Sequence, residues 1–382
     1  MRAGHGGNAY SKVPTVTPDN GPAADLHGVP RDLFVPVHSD AADDADEPDV
    51  VAAVLEQLDP GPGHNVFVAG AGTGYNAALI AAVVGEHGHV TTLDGDPDTV
   101  DAARAHLAAA GVTNVDVVLA DPARGHPADA RYDRVIATVG VHDIPTAWLH
   151  QLAPGGRLLV PLRLRGATTR RIAFERESDG WHGVNSEPAA VMPGRGIGAD
   201  GPQRIHLTDD HTIGLQVHRD QTVDAAALTG VFDTGRHERW TGVLFPGEAL
   251  FAWIDLWLAC TLDNALMRMD VALPAAHRGI VAPSFNWGSM ATVRGADLAY
   301  LTTRPASFAP DGIKLYEAGV VGHGPTGEAL ADETADQIQH WNTHCRNRTV
   351  TFTMPTVLPA TDPAAGRFVL PRKHNPVVVT WT

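Results

Sequence analysis

Val66-Phe67-Val68-Ala69-Gly70-Ala71-Gly72-Thr73-Gly74-Tyr75-Asn76 is the stretch that decides the fold. An apolar run enters three glycines spaced G-x-G-x-G, and a run of small apolar residues follows. A strand that turns through glycines into a helix lets the backbone approach a ligand closely and aims the first helical N–H groups at it. The spacing differs from the G-x-G-x-x-G of dinucleotide enzymes. It suits a nucleoside ligand that lacks a pyrophosphate. Gly70, Ala71, Gly72 and Gly74 are the candidate contacts. The plainer alternative is that the glycines serve only tight helix–strand packing.

Working outward, strands and helices alternate. Val50–Leu58 repeats apolar residues at helical spacing, Asn65–Ala69 is a first strand and Tyr75–Gly85 a helix. Val90–Asp94 is a second strand, and Pro97–Ala110 is an amphipathic helix with proline in its first turn. Val115–Leu119, Asp133–Val139 and Arg157–Leu162 read as further strands, with a helix near Pro145–Leu152. This is an α/β pattern with a parallel sheet covered on both faces. Asp94 closes the second strand, where a carboxylate can accept both hydroxyls of a ribose. Asp121 follows the third strand, either to meet an adenine amino group or merely to shape the loop. Thr138, Val139 and Gly140 end the fourth strand and line the same cleft.

Beyond Leu162 the pattern changes. Arg171–Arg176 and Trp181–Val184 read as a hairpin, and Met192–Gln203 as a Gly/Pro linker. Residues 204–382 mix strands (Ile213–His218, Leu298–Thr303, Lys314–Val321, Thr349–Thr353, Val377–Trp381) with helices Gly247–Asp263 and Glu328–Arg346. The expected organisation is a mobile arm over 1–28, a Rossmann-like domain over 29–195 and a separate α+β domain over 204–382, suited to recognising a peptide. Arg163, Arg165, Arg170 and Arg171 form a basic run, read either as a lure for an acidic peptide or as a solvated hairpin face.

Composition narrows the function. The chain has 382 residues, enough for two cores, with 44 % hydrophobic and 19 % charged residues. A net charge of −16 disfavours a phosphate backbone, so no nucleic acid is expected as partner. Two cysteines suggest a reducing compartment rather than a disulfide framework, and the twenty histidines show no metal-ligand spacing. Ala249–Leu262 is too short to span a bilayer, and Met1–Val13 lacks the apolar core of a signal peptide. The expectation is a cytoplasmic protein with no membrane partner and no metal.

The segments VPRDLFVP (29–36), AGAGTGYNAAL (69–79), YDRVIATVG (132–140) and LAPGGRLLVPL (152–162) resemble the protein-L-isoaspartate O-methyltransferase family. RIAFER, IDLWLACTLDNAL, NWGSMATVRGADLAYLTTRP and YEAGVVGHGP resemble its actinobacterial branch, the FxLD-system methyltransferases. The resemblance implies a class I methyltransferase Rossmann-like sheet followed by an α+β C-terminal domain. It implies S-adenosylmethionine as cofactor, held by Gly70, Gly72, Gly74, Asp94 and Asp121. The substrate it implies is a ribosomally made precursor peptide, whose aspartate is methylated on its carboxylate; the ester then collapses to aspartimide or isoaspartate. Because an aspartate is already ionised at neutral pH, no general base is required, and no catalytic residue is singled out.

Set against the family pattern, four places differ. Val68 stands where the family has a glutamate that organises the glycine loop. Ala120-Asp121-Pro122 stands for Gly-Asp-Gly, and Gly95 replaces an aliphatic residue beside the adenine. Before the Val50–Leu58 helix, where relatives carry Ser/Thr hydroxyls for the substrate carboxylate, this chain has Asp43-Asp44-Ala45-Asp46-Glu47. Asp44 and Asp46, with Tyr75 and Asn76, are the candidate substrate contacts. Two carboxylates about 4 Å apart repel by roughly 1 kcal/mol in water and about 4 kcal/mol near a protein surface. The acidic loop is therefore expected to oppose an incoming aspartate. The alternative function is a divergent homologue that has lost methyl transfer and serves as a peptide-binding partner, or catalyses another step of peptide maturation.

Overall fold

The computed structural model describes residues 26–35, 48–128, 130–189, 201–246, 251–285 and 287–382. The chain first lays down α1 (Pro48–Leu58), β1 (Asn65–Ala69), α2 (Tyr75–Val84), β2 (His89–Asp94), α3 (Pro97–Ala109), β3 (Val115–Leu119), β4 (Tyr132–Ala137), α4 (Thr146–Gln151) and β5 (Leu152–Arg165). Four of the five β1 residues are buried, which is why that strand reads as a continuous apolar run. Asp96 caps α3: its carboxylate accepts from Asp98 N (3.3 Å) and the Thr99 hydroxyl (2.8 Å), with Pro97 in the first turn. β1 pairs in parallel with β2 on one side and β4 on the other. The strand order across this flank is therefore 3-2-1-4-5, and the chain reverses direction across the sheet at β1.

β6 (Thr168–Glu177) and β7 (Gly180–Pro188) return antiparallel beside β5 as the expected hairpin. The chain then forms β8 (Gln203–His206), β9 (Ile213–Val217), β10 (His237–Pro246), α5 (Ala252–Thr261), β11 (Met267–Val271), α6 (Leu273–His277), β12 (Gly288–Arg294), β13 (Asp297–Phe308), β14 (Lys314–His323), α7 (Gly327–His344), β15 (Val350–Pro355), β16 (Arg367–Leu370) and β17 (Val377–Trp381). Strands β8 to β14 make an antiparallel seven-stranded sheet in the order 10-14-13-12-11-9-8.

The last three strands do something else. β15 pairs antiparallel with β7, and β17 and β16 follow it outward, so the first sheet has ten strands in the order 16-17-15-7-6-5-4-1-2-3. The segment expected as a separate domain over 204–382 thus completes the sheet of the first. The cores merge as well. Trp257 of α5 lies 5.2 Å from Trp381 and 5.5 Å from Phe368, both of the first sheet, and stacks at 5.4 Å on His340 of α7. One apolar cluster runs from Phe67 and Trp148 through Trp257 to Val320 and Ile338. Residues 1–25 of the arm expected over 1–28, the acidic loop over 37–47 and most of the 192–203 linker lie outside the described residues; Leu26–Gly28 form a short 3₁₀ turn.

Candidate functional site

The glycine turn sits at the carboxyl end of β1, between β2 and β4, the crevice where open α/β sheets bind ligands. Neighbouring strands stitch it from both sides. Gly70 N–H donates to Leu93 O (2.9 Å), and the Thr138 hydroxyl donates to Gly70 O (3.1 Å). Gly70, Gly72 and Gly74 have φ of 101°, 51° and 90°, a region that only glycine enters freely. Their surroundings differ. A Cβ on Gly70 would sit 2.5 Å from Thr138 Oγ1, and one on Gly74 would sit 3.3 Å from Ala103 O of α3. Those two are spaced by packing, as the plainer alternative has it. Among the described residues a Cβ on Gly72 would meet nothing within 4 Å, so the tip of the turn is open there.

Asp94 closes β2 against this turn. Its Oδ2 accepts from Ala71 N (3.0 Å) and its Oδ1 from Asp96 N (3.0 Å). Each carboxylate oxygen can accept a second bond. Asp94 therefore organises the loop and still offers acceptors to a pair of hydroxyls. Asp121 caps a short 3₁₀ turn through Ala123 N (3.0 Å), and its Oδ2 lies 3.8 Å from Arg124. The loop-shaping role is the one its contacts display. Val139 and Gly140 follow Thr138, both half-buried.

Sequence reasoning passed over the packing that backs the turn. Phe34, from the VPRDLFVP segment, is buried 5.6 Å from the Tyr75 ring and 6.0 Å from His106, whose Nδ1 lies 2.9 Å from Thr73 O. Tyr75 is 1 % exposed, so this side chain belongs to the core and does not face a peptide, contrary to expectation. Asn76 is half-buried in the first turn of α2. Asp44 and Asp46 fall outside the described residues.

The arginine run also needs correction. Arg163, Arg170 and Arg171 are 6 %, 2 % and 9 % exposed, neither a solvated face nor a lure. Arg163 pairs with Asp220 at 2.6 Å, and Arg171 pairs with Glu187 at 2.9 Å and bonds Gln57. Arg170 lies 3.9 Å over the Trp253 ring, its pKa pushed down to about 10 by burial. Arg165 donates to Ala259 O, Leu262 O and Asp263 O at the end of α5. Arg163 ties β5 to the segment after β9, Arg165 and Arg170 tie the first sheet to α5, and Arg171 stays within the first sheet and α1. The fold also gathers histidines and acids that are distant in sequence: His237 lies 3.3 Å from Asp332 and 3.9 Å from Glu328, and Arg239 shares Asp332 at 3.6 Å.

A 3-2-1-4-5 flank with a glycine turn after β1 and an acid closing β2 defines a class I methyltransferase fold. The family model for protein-L-isoaspartate(D-aspartate) O-methyltransferase matches residues 29–191. A protein-L-isoaspartate O-methyltransferase of Methanopyrus kandleri is 42 % identical over 116 residues, 30 % of this chain and 51 % of that one. Another, from Rhodopseudomonas palustris, is 33 % identical over 202 residues, 44 % of this chain and 81 % of that one. A solved protein-L-isoaspartate O-methyltransferase is 19 % identical, covers 87 % of this chain and 92 % of its own, and has a TM-score of 0.43. The chain belongs to the protein-L-isoaspartate O-methyltransferase family. It spans about half the length (51 %) of the Methanopyrus relative. The methyl donor of the family is S-adenosylmethionine, and the residues here fit it: the turn presents an open tip at Gly72, and Asp94 has acceptor capacity beside it.

Proposed function

We propose that the protein methylates a carboxylate of an aspartate-derived side chain in a peptide, using S-adenosylmethionine, as a member of the FxLD branch acting on a ribosomally made precursor in the cytoplasm. The observation that carries this reading is Asp94 bonded to Ala71 N beneath an open glycine turn, in a chain of this family. Bound S-adenosylmethionine supplies an electrophilic methyl group. The chain's own share is placement: Gly72 yields space, Asp94 offers acceptors to the ribose, and Thr138 fixes the turn. An ionised carboxylate is its own nucleophile, so holding it in line and excluding water is what the site contributes.

The departures bear on strength of binding. Val68 is buried in the apolar cluster around α2, so the loop is tied down by Asp94 and the Thr138 and Thr92 hydroxyls rather than by a glutamate. Pro122 is buried with its carbonyl accepting from Trp148 Nε1 at 2.8 Å, which fixes the edge beside Asp121. These favour weaker cofactor binding than in relatives that keep the glutamate. Among the described residues no helix is long and apolar enough to cross a membrane. Calorimetry with S-adenosylhomocysteine, followed by mass spectrometry of an aspartyl peptide incubated with S-adenosylmethionine, tests the proposal. A protein that shows neither binding heat nor thermal shift at millimolar ligand has lost methyl transfer, and the peptide-binding alternative takes its place.

A further inference from the structure

The carboxyl end of β4 and β5 holds a second polar cluster, outside the glycine turn. Beyond Gly140 the chain rejoins β5, with Val141 N donating to Pro161 O (2.9 Å) and Arg163 N to Val141 O (2.8 Å). His142 and Asp143 therefore stand at the carboxyl end of the parallel strands, the same end as the glycine turn, and His142 is only two residues beyond Gly140. Asp143 holds down the segment that leads into β17: its carboxylate accepts from His374 N (3.0 Å), His374 Nδ1 (2.7 Å) and Asn375 N (3.3 Å). That clasp brings Arg372 over the end of β5, where its guanidinium donates to the carbonyls of Arg163 (3.2 Å) and Leu164.

Arg372 is what needs explaining. It is half-buried, and among the described residues no carboxylate lies within 4.0 Å of it and its Nε has no hydrogen-bond partner. His142 beside it has a buried Nδ1 that likewise lacks a partner among the described residues. Burial first, and then the Arg372 and Arg163 charges, push the His142 pKa down to about 4, with Asp220 opposing them. A buried guanidinium without a counter-charge is costly, and buried polar atoms rarely stay unpaired. The two carboxylates whose charge reaches Arg372 are bonded elsewhere: Asp220 to Arg163 Nη1 (2.6 Å) and Gly166 N (3.0 Å), Asp143 to His374 and Asn375.

We propose that Arg372, with His142 against it, receives the carboxylate of the peptide substrate. This deepens the carboxyl-methylation reading and rests on it. It also answers a difficulty in the sequence. The acidic loop over 43–47 has no hydroxyls to greet a carboxylate, whereas the returning C-terminal segment brings a guanidinium to the same end of the sheet. The substrate is then an acidic side chain, aspartyl or isoaspartyl, recognised by charge. Arg372 is a substrate-binding residue with no part in proton transfer.

The test uses the full chain and two pairs of synthetic hexapeptides. One pair carries a single aspartate or asparagine, and the other a single isoaspartate or isoasparagine. Binding is read by calorimetry with and without S-adenosylhomocysteine. Wild type should prefer the acid over the amide by about tenfold or more in at least one pair, the scale of a charge-assisted hydrogen bond. Arg372→Gln keeps donors for the β5 carbonyls and should bring that ratio close to one while cofactor affinity changes less than about twofold. His142→Phe fills the space beside Arg372 and should lower the ratio too, so one unfolded variant does not leave the idea standing alone. An acid preference retained in either folded variant, or absent from wild type in both pairs, overturns the assignment. Failure of wild type to bind S-adenosylhomocysteine would instead remove the methyl-transfer reading, and the peptide ratios would still judge Arg372.

Discussion

The two flanks of the ten-stranded sheet are assembled differently. The 3-2-1-4-5 flank is built by a continuous run of strand, helix and strand between residues 65 and 165. The other flank is a local hairpin, β6–β7, completed by strands that arrive from beyond residue 349. The first flank holds the cofactor turn. The second holds the buried Arg170 and Arg171 and the Arg372 segment. One sequence thus gives a cofactor edge built from a continuous run of chain, and a second edge, the one proposed to meet the substrate, that exists only once the C-terminus has come home.

The harshest way to break that contrast is to remove the returning strands. A chain ending at Arg346 loses β15, β16 and β17, and with them Phe352, Phe368 and Trp381 from the shared core. It also leaves β7 as an unpaired edge. The expected outcome is an insoluble product, or one with no cooperative melt by circular dichroism. Ending the chain at Gly201, which two independent domains would tolerate, should fail in the same way. A 1–201 fragment that melts cooperatively and binds S-adenosylhomocysteine as the whole chain does would restore the two-domain picture.

A milder cut tests the seam itself. Trp257→Ala removes a side chain that is 2 % exposed and touches both the first sheet and α7, the helix packed on the second. Large-to-small changes of this kind cost about 3–5 kcal/mol. Calorimetric scanning should show one transition moving down as a unit. If two transitions separate, the sheets unfold on their own and the merged core is not cooperative.

The contrast also explains what the sequence made legible. β1 to β5 could be read because each is an apolar run closed by glycine, proline or aspartate within a few residues, and the glycine turn declares itself in five positions. β10, β11 and β12 were passed over. His237–Pro246 opens on four charged or aromatic residues in a row, none of them buried, Met267–Val271 alternates apolar with Arg268 and Asp270, and Gly288–Arg294 opens on glycine and serine. Val377–Trp381 was readable as a strand, but its seat beside β15 was not, since strand pairing across such distances leaves no local mark. The arginines misled for a related reason. Charge signals surface unless a partner is present; the charge partner of Arg163 lies 57 residues away, and that of Arg171, Glu187, comes beside it only through the β6–β7 pairing.

On the locally built flank, Asp94→Asn is the sharper probe. The amide keeps the shape and one acceptor, but it loses the charge that strengthens bonds to Ala71 N and to ribose hydroxyls. Charge-assisted hydrogen bonds are worth about 1.5–3 kcal/mol, so S-adenosylhomocysteine affinity should fall roughly tenfold to a hundredfold. The acid-over-amide peptide ratio should be unchanged, because Arg372 belongs to the other flank. A parallel loss of both would mean that the two edges are not separable.

The smallest expected effect comes from Asp255 of α5, at the seam. Burial alone pushes this carboxyl up to about 7, and its Oδ1 has no partner among the described residues. In the unfolded chain it titrates near 4. Between those values the folded protein holds a proton that the unfolded chain has released. Its contribution to stability is therefore full below about pH 4 and is lost as pH rises through 7. His142 and His218 pull the other way. Both are pushed down to about 4 by burial first, so what they contribute is present above about 6.5 and lost as pH falls. Comparing Asp255→Asn with wild type cancels the histidines and leaves the carboxyl. The variant should melt a few degrees higher at pH 8 and within about a degree of wild type at pH 4.5. A difference that stays flat from pH 4.5 to 8 would mean that Asp255 does not change its charge while the seam is closed, and that some group facing α5 neutralises it there.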